Sequence, residues 1–248
     1  YGDPNFVKVP SDTLLSQTYA AQRRQLIDPQ TAALQLNPGQ IPGHEGNLAF
    51  MELAARAARE EFPPGDHIDE SNWAGYLAEG TSLASTTGDT VHIDIIDRDG
   101  NMVSATPSGG WLLSSPAVPG LGFPLGTRAQ IFWLLENHPN CIAPGKRPRT
   151  TLSPTLVTRE GEPYLALGTP GGDQQDQWPL HLLLAHLHFG LTIQQAIELP
   201  GFHSKHFPSS FAPRAAYPGT MALEDRLGPA VVKDLEKRGH TVQLLKPW

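Results

Sequence analysis

Two turn dipeptides, each set between runs of β-forming residues, constrain most strongly what this chain can fold into. Asp99 and Gly100 separate two such runs in the segment TVHIDIIDRDGNMVSATPS. Glu160 and Gly161 do the same within 155–168, in the segment LVTREGEPYLAL. Asp-Gly suits the positive φ angles of a tight turn, and β-rich runs on both sides of such a turn are typical of a β-hairpin. The two hairpins predict an antiparallel sheet.

The backbone must turn often along its whole length. Of the 248 residues, 24 are Gly and 24 are Pro, which excludes a coiled coil, a collagen and a simple helical bundle. Hydrophobic residues make up 39% of the chain, enough to build a packed core, so an intrinsically disordered protein is also disfavoured. No stretch approaches about 18 uninterrupted apolar residues, and no membrane span is predicted.

Helical patterns flank the hairpins. Leu14, Leu15 and Tyr19 follow a candidate N-cap, Ser11, at helical spacing and predict an amphipathic helix. The predicted helices cover 11–27, 47–62, 179–189, 192–199 and 222–238. The stretch 66–89 has neither apolar period and is predicted to be a connector. Strands followed by helices indicate an α+β architecture of packed layers.

The net charge, the cysteine count and the first residues of the chain each exclude or indicate a property of the protein. Lys and Arg total 18 against 25 Asp and Glu, a net charge of -7 that argues against a nucleic-acid surface. The single cysteine, Cys141, excludes an internal disulfide and a Cys-based zinc cluster, and leaves the redox compartment undecided. The chain begins with Tyr1 and lacks an export pattern there, so we expect either processing or truncation to have removed its true start, and we favour truncation.

Thr90 is the first candidate catalytic residue. It lies between the connector and the first predicted strand, where a chain can cut itself to expose an N-terminal threonine. Such a threonine carries a nucleophile, its hydroxyl, and a base, its α-amino group, whose ordinary pKa is about 7.7–8.0. The alternative is an ordinary strand residue, because threonine favours strands.

Two further segments supply groups suited to acyl transfer. Gly171 and Gly172, in GTPGG after a predicted strand, let backbone N–H groups approach a ligand and are candidates for an oxyanion hole. Thr150 and Thr151 follow the cations of KRPR and offer two hydroxyls to an anionic substrate. Each segment has an ordinary alternative, a turn for GTPGG and a solvated loop for the threonine pair.

The histidines do not predict a metal site. His181, His186 and His188 lie at offsets that do not share one helix face. His203 and His206 have no obvious companions in the sequence. We therefore expect neither a metal nor a cofactor.

Taken together, these motifs resemble segments of the γ-glutamyltranspeptidases, also called glutathione hydrolases. The family's processing site is similar to DTVHIDIIDRDGNMVSATPS, its substrate loop to GKRPRTTLSPTLV and its oxyanion segment to GTPGGDQQDQW. The helical signature that follows resembles FGLTIQQAIELPGFHSKHFP, and the end of the large subunit resembles YGDPNFVKVPSDTLLSQTYAAQRRQLI. Several ordered motifs at family-like spacing are more specific than any one of them.

The resemblance implies a role for each matching residue. Thr90 would be the nucleophile, exposed by autocatalytic cleavage between Asp89 and Thr90. Ser108 would steady the hydroxyl and amino groups of this threonine. Gly171 and Gly172 would stabilise the oxyanion of the tetrahedral intermediate through their amides.

Substrate recognition is where the chain departs from the family. Thr150 and Thr151 match a Ser-Ser pair that holds the α-carboxylate of the γ-glutamyl group. The family's Asn, Gln and Asp for the α-amino group align with Gly110, Arg128 and Ile131. The carboxylate that pairs with an ammonium is thus absent and a like charge is added, so a free α-amino group would be poorly accommodated. Arg128 is expected to help bind a substrate carboxylate instead.

The resemblance also implies an overall organisation. The fold would be the four-layer αββα sandwich of N-terminal nucleophile hydrolases, incomplete in this chain. Residues 1–89 would end the large subunit and 90–248 would form the small, catalytic one, the two making a heterodimer cut from one precursor. Substrates would be γ-glutamyl or related amides, with water or an amine as the acceptor. The enzyme would use no metal. The family implies a periplasmic or secreted location, and the cytoplasm stays open.

Two alternatives remain at this point. The first is a family acylase or amidase with a different acyl donor, similar to a cephalosporin acylase. The second is a non-catalytic fragment that acts as an interaction module. A new N-terminus at Thr90 would separate the enzymes from the interaction module, and the choice of acyl donor would separate the two enzymes.

Overall fold

The computed structural model describes residues 2–44, 90–109, 118–122, 126–211, 214 and 216–246. The described residues divide into two units. The first unit contains those of 1–61, 131–149 and 180–248, and the second those of 62–130 and 150–179. The predicted helix over 47–62 and the connector over 66–89 lie outside the described residues.

The described chain mixes short helices and short strands. The α-helices are Ser11–Leu14 (α1), Gln17–Arg24 (α2), Trp178–Leu183 (α3), Ile193–Glu198 (α4) and Pro229–Lys237 (α5). The strands are Ile93–Ile96 (β1), Met102–Ala105 (β2), Thr155–Arg159 (β3), Glu162–Leu167 (β4), Phe202–Ser204 (β5), Thr220–Glu224 (β6) and Thr241–Leu245 (β7). Single helical turns cover Thr127–Ile131, Asp173–Asp176 and Asp225–Leu227, which are 3₁₀, and Leu184–His188, which is π-helical. The predicted mixture of α and β structure is confirmed.

The hairpin β3–β4 forms as predicted. The strands are antiparallel, with Thr155 opposite Leu167 and Arg159 opposite Glu162. Glu160 and Gly161 alone connect them, with φ angles of 55° and 88°. Two successive positive φ angles match the right-handed twist of the strands, so this turn sets the register next to it. Between Val157 and Thr158 the register shifts by one residue for the rest of the pair.

The hairpin β1–β2 also forms, but with a longer turn than the Asp-Gly dipeptide alone implies. Ile96 pairs with Met102, which leaves five residues in the loop. Gly100 takes the positive φ, 83°. The Asp97 carboxylate accepts hydrogen bonds from the backbone and side chain of Asn101, which holds the pKa of Asp97 below its usual range. The turn is thus closed by a side chain as well as by the glycine.

The N-terminal helix predicted over 11–27 is wrong in its continuity. It is divided into α1 and α2 at Ser16, whose backbone is extended and whose hydroxyl accepts a hydrogen bond from Tyr19 N at 3.1 Å. Ser16, not Ser11, is therefore the capping serine. Leu15 lies at the break and is 85% exposed. A serine inside an apolar period competes for the backbone, and here it ends the first helix.

The predicted helix over 222–238 is wrong in its first part. Residues Thr220–Glu224 form strand β6, which pairs antiparallel with β5 and parallel with β7. Ala222 and Leu223 are almost fully buried in this three-stranded sheet. The helix begins only after Gly228, with Pro229 in its first turn. Pairing with distant strands overrides the local helical pattern.

The two helices predicted before this sheet are confirmed. The range 179–189 covers α3 except its first residue, Trp178, and the π-helical turn that continues it. Thr192 caps α4, and its hydroxyl accepts a hydrogen bond from Gln195 N at 3.2 Å. The Gln195 side chain in turn accepts one from Thr192 N at 3.0 Å, which completes a capping box.

An ion pair joins two distant parts of the first unit. The Asp3 side chain is fully enclosed, while Arg147 remains largely exposed. Arg147 donates to the Asp3 carboxylate from Nη2 at 2.9 Å and from its backbone N at 2.8 Å. The hydrogen bond from the Arg147 side chain, above all, holds the pKa of Asp3 well below its usual range.

We expect Asp3→Asn to lower the Tm of the full-length protein at neutral pH. Because the pKa of Asp3 is depressed in the folded state, its stabilisation is present above the ordinary pKa of 3.8 and is lost as the pH falls further. The Tm difference from wild type should therefore shrink below that pH, as thermal unfolding across pH would show. Asp12→Asn, at an exposed position of α1, is the matched control. A pH-independent difference would contradict the assignment.

Candidate active site

Thr90 and Ser108 lie opposite each other beyond the open end of the hairpin β1–β2. They form an isolated antiparallel bridge, and their hydroxyl oxygens are 2.7 Å apart. Val91 N donates to Pro107 O at 3.2 Å and extends the pairing. Thr90 was expected to start a strand, whereas the strand begins at Ile93. The bridge nonetheless holds the two hydroxyls at hydrogen-bonding distance.

A guanidinium group touches this hydroxyl pair. Arg128 lies in the 3₁₀ turn Thr127–Ile131, and its Nη2 donates to Ser108 Oγ at 2.7 Å. Arg128 and Ser108 are both half-buried. The structure thus joins three predicted site residues, Thr90, Ser108 and Arg128, in one hydrogen-bonded group. Ile131, at the end of the same turn, is fully buried and offers no polar side-chain atom.

His92 supports the site, and sequence reasoning did not single it out. Its Nδ1 lies 2.8 Å from Thr106 Oγ1, and its Nε2 lies 2.8 Å from Asp94 Oδ2. The imidazole is thus held from both nitrogens, two residues after Thr90. The available signal was the spacing of His92 and Asp94, because residues two apart in an extended segment share a face.

The glycine-rich segment after β4 begins against His92. Gly168 packs so closely on the imidazole that an added Cβ would lie 2.6 Å from Nε2 and 2.7 Å from Nδ1. Ser104 Oγ of β2 also donates to Leu167 O at 3.1 Å. These contacts place Gly168, the first residue of GTPGG, next to the segment that joins Thr90 to β1. A side chain at position 168 would prevent this approach.

Gly171 and Gly172 form the turn that leads into Asp173–Asp176. Gly171 has a φ of 131°, which side-chain-bearing residues rarely adopt. Its carbonyl accepts a hydrogen bond from Nε2 of the buried Gln175, and the Gly172 carbonyl accepts one from Gln175 N at 3.3 Å. Within the described ranges, neither glycine N–H donates a hydrogen bond. Their carbonyls are anchored, and their amides are available to an oxyanion.

Thr150 and Thr151 precede β3 in the same unit and make no hydrogen bond to Thr90 among the described residues. Thr150 Oγ1 accepts a hydrogen bond from Leu152 N at 3.1 Å. The Thr151 hydroxyl is buried and has no hydrogen-bond partner in the described part of the chain. A buried hydroxyl without a partner is costly, so a ligand group that binds it would relieve the cost.

The remaining sequence predictions concern residues or features outside this group. Asp89 and Gly110 lie outside the described residues. Among the residues that are described, no three or more His, Cys, Asp and Glu side chains could hold a metal ion together. In the same ranges, no helix is long and apolar enough to cross a bilayer.

Comparisons with known proteins agree with the resemblance seen in the sequence. The solved structure of LmbA2991T421A is 45% identical, with a TM-score of 0.79, and the match covers 100% of this chain and 39% of that one. The glutathione hydrolase proenzyme of Pseudomonas sp. (strain A14) is 29% identical over 222 residues, 84% of this chain and 31% of the relative. The acylase ACY 1 proenzyme of Pseudomonas sp. (strain SE83) is 28% identical over 244 residues, 97% of this chain and 33% of the relative.

These matches cover most of this chain but only part of each relative. The chain spans about a third of the length of the curated relatives it matches. The family model for gamma-glutamyltranspeptidase matches residues 1–247, which is nearly the whole of this chain. The chain therefore belongs to the gamma-glutamyltranspeptidase family.

Proposed function

We propose that the full-length protein containing this chain is a self-processing γ-glutamyltransferase or glutathione hydrolase that acts through Thr90. The observation that carries the proposal is the hydroxyl pair of Thr90 and Ser108, 2.7 Å apart, with Arg128 bound to Ser108. A threonine hydroxyl in such a pair is suited to nucleophilic attack once its proton has an acceptor. No metal or cofactor is required for this chemistry.

Cleavage between Asp89 and Thr90 would prepare the nucleophile. In the precursor, Thr90 Oγ1 attacks the preceding carbonyl carbon, the C–N bond breaks, and the hydroxyl proton ends on the new amine. Water then hydrolyses the ester, which leaves a free hydroxyl and a free α-amino group on the same residue. That amine has an ordinary pKa of about 7.7–8.0 and serves as the base near neutral pH.

Turnover would follow in two acyl steps. Thr90 Oγ1 attacks the amide carbonyl of the donor, and the amine leaves with the proton held by the α-amino group. Gly171 and Gly172 stabilise the oxyanion through amides that make no hydrogen bond within the described residues. Water or an acceptor amine then resolves the acyl-enzyme.

The acyl donor would carry a carboxylate. The buried Thr151 hydroxyl and the neighbouring Thr150 hydroxyl are suited to donate hydrogen bonds to this carboxylate. Arg128 adds a positive charge beside the nucleophile. γ-Glutamyl amides are the default donors. Arg128 also disfavours a donor with a free ammonium, because the two cations repel each other. This observation favours a second candidate function, an acylase whose donor lacks that amine. One of the relatives is an acylase proenzyme.

The organisation implied by the family belongs to the same proposal. Residues 1–89 would contribute to the large subunit and 90–248 to the small subunit of a heterodimer. The complete enzyme would have the four-layer αββα sandwich, to which the two described hairpins would contribute strands. Small amides, water and amines would be its partners.

The proposal is tested by following the full-length protein on a denaturing gel with N-terminal sequencing. We expect two pieces, the smaller beginning at Thr90, and turnover of a γ-glutamyl anilide only after they appear. One persistent chain with no new N-terminus would rule out this mechanism and favour the interaction module. Cleavage without turnover of the anilide would instead favour a different donor.

The donor preference is a separate prediction. We expect an N-acylated γ-glutamyl anilide, which lacks the free amine, to be hydrolysed with a kcat/KM at least comparable to that of γ-glutamyl anilide. The reason is Arg128, whose cation repels an ammonium but not a neutral amide. Steady-state kinetics on the two anilides would measure the ratio. A preference of about 100-fold or more for the free amine would contradict the role given to Arg128.

A further inference from the structure

A continuous line of hydrogen bonds joins a cation to the Thr90 hydroxyl. Arg128 Nη2 lies 2.7 Å from Ser108 Oγ, and Ser108 Oγ lies 2.7 Å from Thr90 Oγ1. All three residues belong to the second unit. On the basis of the proposed function, we infer that Arg128 is a positioning residue that orients Thr90 through Ser108. This role is additional to binding a substrate carboxylate.

The chemistry of the guanidinium sets the direction of this line. Arginine has only donors, so Arg128 Nη2 donates and Ser108 Oγ accepts. A hydroxyl that accepts from a cation becomes a stronger donor, which favours the arrangement in which Ser108 donates to Thr90 Oγ1 across the 2.7 Å between the two oxygens. In this arrangement Thr90 Oγ1 accepts from Ser108. The base takes the proton of Thr90 during the attack.

This arrangement helps the nucleophile at the moment of attack. As the bond from Thr90 Oγ1 to the acyl carbon forms, the hydroxyl proton moves to the base and then to the leaving amine. The Ser108 proton stabilises the charge that develops on Thr90 Oγ1, and the cation behind it strengthens that hydrogen bond. Arg128 and Ser108 end the step with the protons they had at its start.

Self-cleavage separates this role from substrate binding. A residue that only binds the donor carboxylate affects KM, and it has no part in cleavage at Thr90, which involves no donor. A residue that orients Thr90 affects both cleavage and kcat, because both reactions use the same hydroxyl. The cleavage rate of the precursor is therefore the informative measurement.

The experiment measures the cleavage rate of the full-length precursor, over neutral and mildly alkaline pH, in four variants and a control. The variants are Arg128→Gln, Arg128→Lys, Ser108→Ala and the double variant Ser108→Ala/Arg128→Gln. Arg159→Gln is the matched control, because this exposed arginine lies over the Tyr164 ring in the same unit, 3.8 Å from its centroid. Circular dichroism checks that each variant folds.

We expect Arg128→Gln to slow cleavage about 10- to 100-fold, the loss typical of one charged hydrogen bond. Arg128→Lys should recover part of the rate, and Arg159→Gln should match wild type. In the Ser108→Ala background, Arg128→Gln should add less than about threefold, because the intermediary is already missing. kcat should fall with the cleavage rate.

Three results would overturn the inference while the wild type still cleaves at Thr90. Arg128→Gln could cleave at the wild-type rate and only raise KM, which would leave substrate binding as its sole role. It could slow cleavage equally with and without Ser108. Arg128→Lys could cleave no faster than Arg128→Gln. Where Arg128→Gln fails to fold, the contradicting result is that Arg128→Lys slows cleavage by the same factor with and without Ser108. A wild type that never cleaves would instead overturn the proposed function itself, and this inference with it.

Discussion

Thr90→Ala is expected to leave the full-length protein as a single chain that does not turn over γ-glutamyl anilide. The substitution removes the hydroxyl that lies 2.7 Å from Ser108 Oγ and leaves the backbone bridge between the two residues possible. The same hydroxyl would attack the peptide bond in processing and the donor in turnover. Loss of the nucleophile in an acyl-transfer enzyme lowers kcat by about 10⁴–10⁶-fold, so both activities should become undetectable.

The controls distinguish loss of chemistry from loss of fold. Thr90→Ser keeps a hydroxyl and should still cleave, although more slowly because the β-methyl that restricts χ1 is gone. Thr158→Ala removes a hydroxyl from an exposed position of β3 and should behave as wild type. Mass spectrometry of the purified chains would give the outcome. A fragment that begins at residue 90 in Thr90→Ala would show that another group performs the cleavage.

The hairpin that brings Thr90 to Ser108 could be predicted from the sequence, but its register could not. The turn that contains Asp99 and Gly100 sets a register in which Ile93 faces Ala105 and Ile96 faces Met102. Continuing that register outward places residue 90 opposite residue 108. A two-residue turn at Asp99 and Gly100 would instead place residue 90 opposite residue 109, so the observed pairing depends on the five-residue loop that the structure shows.

The other parts of the site depend on contacts that no local pattern encodes. Arg128 follows Ser108 by 20 residues and reaches it from a single 3₁₀ turn. Gly168 meets His92 across 76 positions of sequence, because β4 packs beside β1. The expectation that Arg128 serves the substrate came from the family resemblance alone, whereas in the structure Arg128 donates a hydrogen bond to Ser108, the partner of Thr90. Side-chain contacts between distant segments require the fold itself.

The same limit explains the error near the C-terminal end. The segment 222–238 is rich in good helix formers but is interrupted by Gly228 and Pro229, and α5 forms only from Pro229 onward. Its first residues instead pair with β5 and β7, which bury Ala222 and Leu223. A parallel partner such as β7, reached only after an intervening helix, leaves no signal in a short window.

Gly168→Ala is expected to lower both the stability and the activity of the full-length protein. The added Cβ would lie 2.6 Å and 2.7 Å from the two imidazole nitrogens of His92. The ring cannot easily turn away, because Thr106 and Asp94 hold these nitrogens at 2.8 Å. Overpacking of this kind costs about 1–3 kcal/mol, and a displacement of about 1 Å near a nucleophile lowers turnover about 100-fold. Thermal unfolding and steady-state kinetics would measure the two effects.

A matched control and a second substitution test the cause of this effect. Gly126→Ala adds the same methyl group where the nearest atom, Gly109 O, is 3.8 Å away, and should change the Tm little. Adding His92→Ala to Gly168→Ala removes the ring that the methyl group would strike. If the contact is the cause, His92→Ala should cost less stability in the Gly168→Ala background than in the wild type. Equal costs in the two backgrounds would place the damage in the backbone of the glycine-rich segment, and the imidazole would then have no part in positioning it.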